Sequence, residues 1–269
     1  MKKKKDALKN TSNAPEQTEE ETELEEDGEQ EMSAGESILS HLLAFRQMLV
    51  ISAIAVLVGF VLVFYFAIDP LMAMITEPIQ AKGITIIFTA MSEALVTKFK
   101  VALMAGIIAA SPAIIFEIWS FIAPALYPHE KRAFSALFFV ALLLFLLGVV
   151  FCYFAVYKLA IDFFIVAGTD LATPMLSIDK YVGFLFGFIV PFGVAFQLPV
   201  ALYLTTRIGL TNAKMLSKAR KYVILGIFVF AAILTPPDVV SQVALGLPMC
   251  LLYEIGIIVA RITKKKARE

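Results

Sequence analysis

From Gln47 onward the chain alternates long apolar runs with short polar clusters, and run length decides which elements it forms. A hydrocarbon core of about 30 Å takes roughly 20 helical residues to cross. Runs of that order lie near residues 47–68, 101–120, 133–157 and 181–206, and two further runs lie near 221–235 and 240–260. Six transmembrane helices are therefore predicted. The fifth is short, because only thirteen apolar or small residues, Tyr222 to Leu234, precede the TPPD turn. As helix they rise about 20 Å, so either the bilayer thins there or protein holds the turn below the outer surface. Pro236 and Pro237 cannot continue a helix. The fifth and sixth spans should form a tight antiparallel hairpin, with Asp238 and Gln242 at its outer end.

Prolines at 112, 191, 199 and 248 interrupt the spans, each freeing a carbonyl and bending its helix, and kinked helices pack into a curved, open wall. GFLFG at 183–187 fits the small-xxx-small pattern of close helix contacts. The loops at 69–100 and 158–180 carry apolar stretches such as LMAMI and ITIIF, which predicts short interfacial helices over the outer face. Residues 1–37 are different in kind. KKKK at 2–5 and the acidic run at 15–31 contain no aromatic residue and too little apolar surface to offset chain entropy, so a disordered tail is expected, followed by a membrane domain over 38–269.

Composition agrees: 59% of the 269 residues are hydrophobic and the mean hydropathy is +0.82, where a soluble domain is about half apolar. The formal charge of zero hides segregation, since the first 37 residues hold twelve of the 23 acids. With the N-terminus inside, eighteen of the 23 Lys and Arg residues fall on the cytoplasmic side and five, Lys82, Lys98, Lys100, Lys158 and Lys180, on the outer side. Both termini are therefore expected in the cytoplasm. Residues 1–31 lack the apolar core of a cleavable signal, so the first span is expected to direct insertion. Cys152 and Cys250 sit inside apolar runs and are expected to pack, not to pair or bind metal.

No P-loop, HExxH, GxSxG or clustered His/Cys motif occurs. An enzyme is not expected, nor are a metal, a cofactor or nucleic-acid binding. The informative polar residues are few. Glu117 and Glu254 stand in spans, where an acid at mid-bilayer costs about 2.5–3.5 kcal/mol and so faces protein or water. For Glu254 a packing hydrogen bond and a water-lined cavity both remain open. Glu117 lies near the surface, where snorkelling suffices, and Gln197 could bridge two helices. His41 and His129 lie in polar flanks. The polar island FIAPALYPHEKRAF at 121–134 falls between the second and third spans, on the cytoplasmic side.

These motifs, in this order, resemble the core subunit of the twin-arginine protein translocase, the TatC family. SHLLAFR (40–46) is similar to the family's N-terminal HLxELR, and SPAIIFEIWSFIAPALYPHEKR (111–132) to its first cytoplasmic loop. FGVAFQLPV (192–200) is similar to its fourth-span motif, and KARKYV, ILTPPDVVSQ and LPMCLLYE (218–254) to its C-terminal third. The resemblance runs from about residue 38 to 262 and implies an all-α polytopic fold of six spans in the bacterial cytoplasmic membrane.

The resemblance also implies a receptor for twin-arginine signal peptides of folded precursors, within an export complex driven by the proton gradient. Glu130 matches the loop acid that reads the arginine pair, a carboxylate being able to take a guanidinium bidentately. Phe121, His129, Glu117 and Arg46 complete the expected signal-peptide site. Gln197, Asp238, Gln242 and Glu254 are the expected groove and docking positions for single-span TatA/TatB-type subunits, with self-association and lipid contact besides. Two departures stand out: the family Glu of HLxELR is Ala44, and Glu117 replaces an expected Gln. The rival reading, a secondary transporter for small solutes, needs paired charges or related broken helices in two halves, and no internal repeat is present. A membrane scaffold would leave Glu130 without a role.

Overall fold

The computed structural model describes residues 16–122, 131–168, 175–234 and 238–266. The chain divides into two units, Met1–Val50 and Ile51–Glu269. Helix α1 covers Glu16–Phe66 and contributes to both. In the first unit the stretch 16–37, expected to be disordered, has helical backbone. Glutamate and glutamine are good helix formers, which the compositional argument for disorder does not weigh.

In the second unit the helices follow the predicted runs closely. After α1 come α2 (Ile68–Gln80), α3 (Glu93–Ile122), α4 (Lys131–Phe151) and α5 (Lys158–Gly168), the last two joined by a π-helical turn, Cys152–Tyr157. Then follow α6 (Ile178–Ala195), α7 (Leu198–Arg207), α8 (Ala213–Leu234) and α9 (Val239–Lys266). Among the described residues five stretches are long and apolar enough to cross a membrane: Leu39–Phe66, Glu93–Ile122, Ser135–Val166, Ile178–Arg207 and Val239–Ile262. The predicted fifth span is present as α8 but falls short of that standard. Lys214, Lys218, Arg220 and Lys221 occupy its first half, leaving 222–234 as its uncharged part.

Three of the four prolines expected to interrupt spans do lie inside helices, Pro112 in α3, Pro191 in α6 and Pro248 in α9. Pro199 does not. It is the second residue of α7, where the missing N–H has no intrahelical partner to lose. The fourth predicted span is thus two helices, broken at Phe196–Gln197.

The loops form a cap at one end of the second unit. α2 buries Ile68, Ile75 and Ile79 on one face. Pro78 within it has no N–H to offer the carbonyl of Met74, and the Tyr153 hydroxyl donates to that oxygen at 3.0 Å. The Tyr181 hydroxyl donates to the next carbonyl, Ile75, at 2.7 Å. Two three-residue strands, β1 (Thr85–Ile87) and β2 (Met175–Ser177), pair in parallel with Ile86 opposite Leu176, stitching the two loops together. Period-2 patterning over three residues was too brief to signal them. Three of the five lysines assigned to this side are neutralised here: Lys82 by Asp162, Lys98 by Asp69 at 3.0 Å and Lys100 by Asp179 at 2.5 Å.

The core centres on α6, whose Val182, Leu185, Phe188 and Phe192 are fully buried. The tight helix contacts are not at GFLFG: a Cβ at Gly183 would meet nothing within 4 Å, and one at Gly187 only the Leu234 carbonyl at 3.7 Å. They occur at other glycines, two of which, Gly59 after Ala55 and Gly106 after Ala102, also close a small-xxx-small pattern. A Cβ on Gly59 would come within 2.7 Å of the Gly106 carbonyl, fixing the approach of α1 to α3. Between α4 and α6 the fit is reciprocal. Phe145 lies over Gly193 and Phe196 over Gly148, so each helix offers a ring to the other's glycine, with ideal Cβ distances of 2.7 and 2.8 Å.

Candidate functional site

The expected recognition residues fall into three places. Glu130 and His129 lie outside the described residues. Arg46 is exposed on α1 in the first unit, with Ala44 one half-turn earlier, also exposed. Glu117 and Phe121 are both half-buried on the last turns of α3 in the second unit. Four residues apart, they share one helix face. Glu117 makes no hydrogen bond or ion pair among the described residues, so its carboxylate is not committed to holding the fold.

What supports that end of α3 is a second apolar cluster. Ile115, Trp119, Ala141, Phe145, Val200 and Leu204 are buried together, joining α3, α4 and α7, with Ile122 and Phe138 packed against them. Phe116 meets Phe138 edge-on at 5.9 Å between ring centroids. Packing thus holds α3 up to Ile122 and α4 from Leu137 onward. The sequence reading did not anticipate Trp119 as the centre of this cluster, although its position two residues beyond Glu117 puts it on the opposite helix face.

Gln197 stands at the break between α6 and α7, and its amide Nε2 donates to the Ala141 carbonyl of α4 at 2.9 Å. The bridging role expected for it is what the geometry gives. Its carboxamide oxygen remains for a further donor. Asp238 and Gln242 open α9. Asp238 Oδ1 accepts from the Ser241 N–H at 2.6 Å, an N-terminal cap, and Gln242 Nε2 donates to the Phe228 carbonyl of α8 at 3.0 Å. The two residues thus close the α8/α9 pair, while Thr235, Pro236 and Pro237 lie outside the described residues. Asp238 Oδ2 and the Ser241 hydroxyl are buried and without a partner among the described residues.

Glu254 has a partner across the helix pair. Arg220 Nη2 donates to Oε2 at 2.8 Å and Nε lies 2.8 Å from Oε1, an ion pair between α8 and α9 held by one hydrogen bond. Both side chains are 42% exposed, so the pair sits at the edge of the packed region, not in an enclosed cavity. Thirty-four residues separate the partners, beyond the reach of any local spacing rule. Nearby, the buried Tyr253 hydroxyl donates to the Leu216 carbonyl at 2.9 Å, tying α9 to the start of α8.

One further acid was overlooked. Glu93, at the start of α3 and 8% exposed, accepts from the backbone and hydroxyl of Thr89 and from the Ala90 N–H on one oxygen. The other accepts from the Ser177 hydroxyl at 2.5 Å and the Asp179 N–H at 3.2 Å. This carboxylate holds the cap to the first turns of α3 and α6. An acid at a helix start is a recognisable cap signal, but its reach to residues 177 and 179 is tertiary. Among the described residues no group of three or more His, Cys, Asp or Glu side chains is arranged to hold a metal ion.

The arrangement of helices, and the sequence that builds it, match one family along most of the chain. The family model described as Sec-independent protein translocase protein (TatC) matches residues 40–248. This chain belongs to the TatC family. Its relatives include the Sec-independent protein translocase protein TatC of Aquifex aeolicus, 41% identical over 236 residues, which cover 86% of this chain and 98% of that protein. The TatC of Carboxydothermus hydrogenoformans is 38% identical over 231 residues, 86% of this chain and 95% of that one. That of Escherichia coli K12 is 37% identical over 234 residues, 86% and 90%. A crystal structure described as the twin-arginine translocase receptor TatC superposes with a TM-score of 0.77 at 40% identity, covering 83% of this chain and 99% of that one. The TatC chain is thus a multi-pass, all-helical membrane protein of a bacterial protein translocase.

Proposed function

We propose that this chain is the signal-peptide receptor and core component of a twin-arginine, Sec-independent translocase, binding the paired arginines of folded precursors and assembling a proton-gradient-driven export complex. The observation that carries the reading is the match to a solved TatC receptor over 99% of that receptor's length. In this reading the segment between α3 and α4 presents Glu130 and His129 to the arginines, Phe121 packs on the signal beside them and Glu117 borders the site, while Arg46 on α1 contributes a signal contact of its own. The paired guanidinium groups find in a carboxylate an acceptor that takes both donors of one fork.

Gln197, with an amide oxygen to spare, faces the signal's apolar segment or a partner helix. Asp238 and Gln242 serve a single-span TatA/TatB-type subunit at the far end of α8/α9. Glu254 contributes by holding α9 to α8 through Arg220. The chain self-associates within the complex and catalyses no reaction. Residues 1–37 form a tail outside the membrane domain, both termini are cytoplasmic, and the cap of α2, β1 and β2 faces outward.

The deciding experiment places a photoreactive side chain at Phe121 and compares a twin-arginine precursor with an ordinary secretory precursor in inverted membrane vesicles. Labelling of the first alone is expected, and its loss in a Glu130→Ala variant that still inserts. Equal labelling of both precursors removes the receptor assignment.

A further inference from the structure

An open apolar groove of about 420 Å³ runs between the π-turn region and the first half of α9. Phe151, Ala155 and Leu159 form one wall, and Val243, Leu247 and Pro248 stand in the other. We propose that this groove seats an anionic phospholipid, with one acyl chain along these walls and its phosphate at Lys158.

Four observations carry the assignment. First, the lining presents almost no polar surface, which suits a hydrocarbon chain, and the volume lies in the range of about 300–1,000 Å³ typical of clefts that hold a small ligand. The small side chains of Ala155 and Ala244 help leave the space open.

Second, the length of the groove selects among apolar occupants. Along α9 it extends from Val239 to Pro248, ten residues that rise about 15 Å, half of a hydrocarbon core of about 30 Å. A transmembrane partner helix would use a track through both leaflets, whereas an acyl chain ends at the midplane.

Third, the depth is right for a headgroup at one end. One turn beyond Lys158 on α5, Asp162 pairs with Lys82 of the cap, so Lys158 stands next to the level where charged side chains already gather. Lys158 directly precedes the lining residue Leu159 and follows Ala155 by three positions, so its ammonium is tethered at the rim.

Fourth, charge is available there. Lys82, Lys98 and Lys100 of the cap are each paired with an aspartate, while Lys158 is exposed and makes no hydrogen bond or ion pair among the described residues. An unpaired lysine at the mouth of an apolar groove at headgroup depth complements an anionic lipid.

The full chain, purified in detergent and stripped of lipid, is titrated with phosphatidylglycerol and with phosphatidylcholine of the same chain length, and bound lipid is counted by native mass spectrometry. Phosphatidylglycerol is expected to bind more tightly. Lys158→Gln should weaken it about fivefold, the effect of one lysine near an anionic surface, and leave phosphatidylcholine unchanged. Ala244→Phe, which fills the groove, should weaken both lipids. Equal binding of the two lipids by the native chain, or no response to either substitution, overturns the proposal. So does protection of Val243→Cys from a membrane-soluble maleimide only when a single-span subunit is co-expressed, which would mark the groove as a helix-docking surface.

Discussion

Arg220 of α8 donates from Nη2 to Oε2 of Glu254 on α9 at 2.8 Å, with its Nε 2.8 Å from Oε1 as the ion-pair approach. The pair explains how a carboxylate sits in an apolar span: its charge is met by a guanidinium from the basic first half of α8. Because both groups are half exposed, their coupling should be near that of a well-formed surface pair, about 1 kcal/mol. A double-mutant cycle on Arg220→Gln and Glu254→Gln, read by thermal unfolding in detergent, should return that coupling. Strict additivity would mean that the two side chains act independently.

Glu93 is the residue whose loss should cost the cap most. Glu93→Ala strands the Ser177 and Thr89 hydroxyls and up to three backbone N–H groups, and each buried donor left unmatched costs about 1–3 kcal/mol. Limited proteolysis should then cut between β1 and α3 at sites protected in the native chain, while the opposite ends of α3 and α6 stay resistant. An unchanged digestion pattern would remove Glu93 from the account of the cap.

The ring-over-glycine contacts between α4 and α6 predict a graded response. Gly193→Ala puts a methyl 2.7 Å from the Phe145 ring edge, which the ring can evade by a small turn. Gly59→Ala meets the backbone of Gly106 at 2.7 Å and cannot be evaded so easily. Overpacking of this kind costs about 1–3 kcal/mol, and the unfolding midpoint should fall further for Gly59→Ala than for Gly193→Ala. The reverse order would show that α4 and α6, not α1 and α3, form the less forgiving contact.

Glu117 is uncommitted within the described structure, and the family acid expected at position 44 is absent. If Glu117 supplies that charge to the signal peptide, Glu117→Gln should weaken precursor binding about tenfold, within the range for one hydrogen bond to a charged group. Ala44→Glu in the same background should restore it. Fluorescence titration of a twin-arginine peptide against the chain in nanodiscs measures both. Native affinity in the Glu117→Gln variant would leave Glu117 as a solvated side chain.

Much of this molecule was written in run length. Apolar stretches long enough to cross a bilayer have few alternatives to helix, because no water is present in the hydrocarbon to satisfy an open backbone, and that constraint acts locally. So six spans were placed from sequence, five of which coincide with stretches long and apolar enough to cross among the described residues, along with the shortness of the fifth predicted one, and the family motifs followed from residues 40–46, 111–132, 192–200 and 218–254 as they stand. Glu117, Phe121 and Gln197 could be singled out for the same reason, since a polar or loop-edge residue in such surroundings is conspicuous one position at a time.

The rest depended on distance in the chain. That Arg220 answers Glu254, that Glu93 reaches Ser177, and that β1 pairs with β2 across about ninety residues are facts about which helices become neighbours. Periodicity cannot carry them, because it records which face is apolar and not which partner covers it. Glycine shows the limit most plainly: GFLFG has the contact pattern and makes no close contact, while Gly193, with Ile189 and Gln197 four residues to either side, lacks it and is nearly touched by a ring. A missing side chain has no signal of its own; only the packed neighbour gives it meaning. Pro199 likewise begins a helix instead of bending one, because the chain turns at Gln197 to place that amide against α4. Sequence alone determined that these segments are helices in a membrane, through the local cost of an unsatisfied backbone, and tertiary structure decided which side chains meet, because packing is settled only between elements that local rules treat separately.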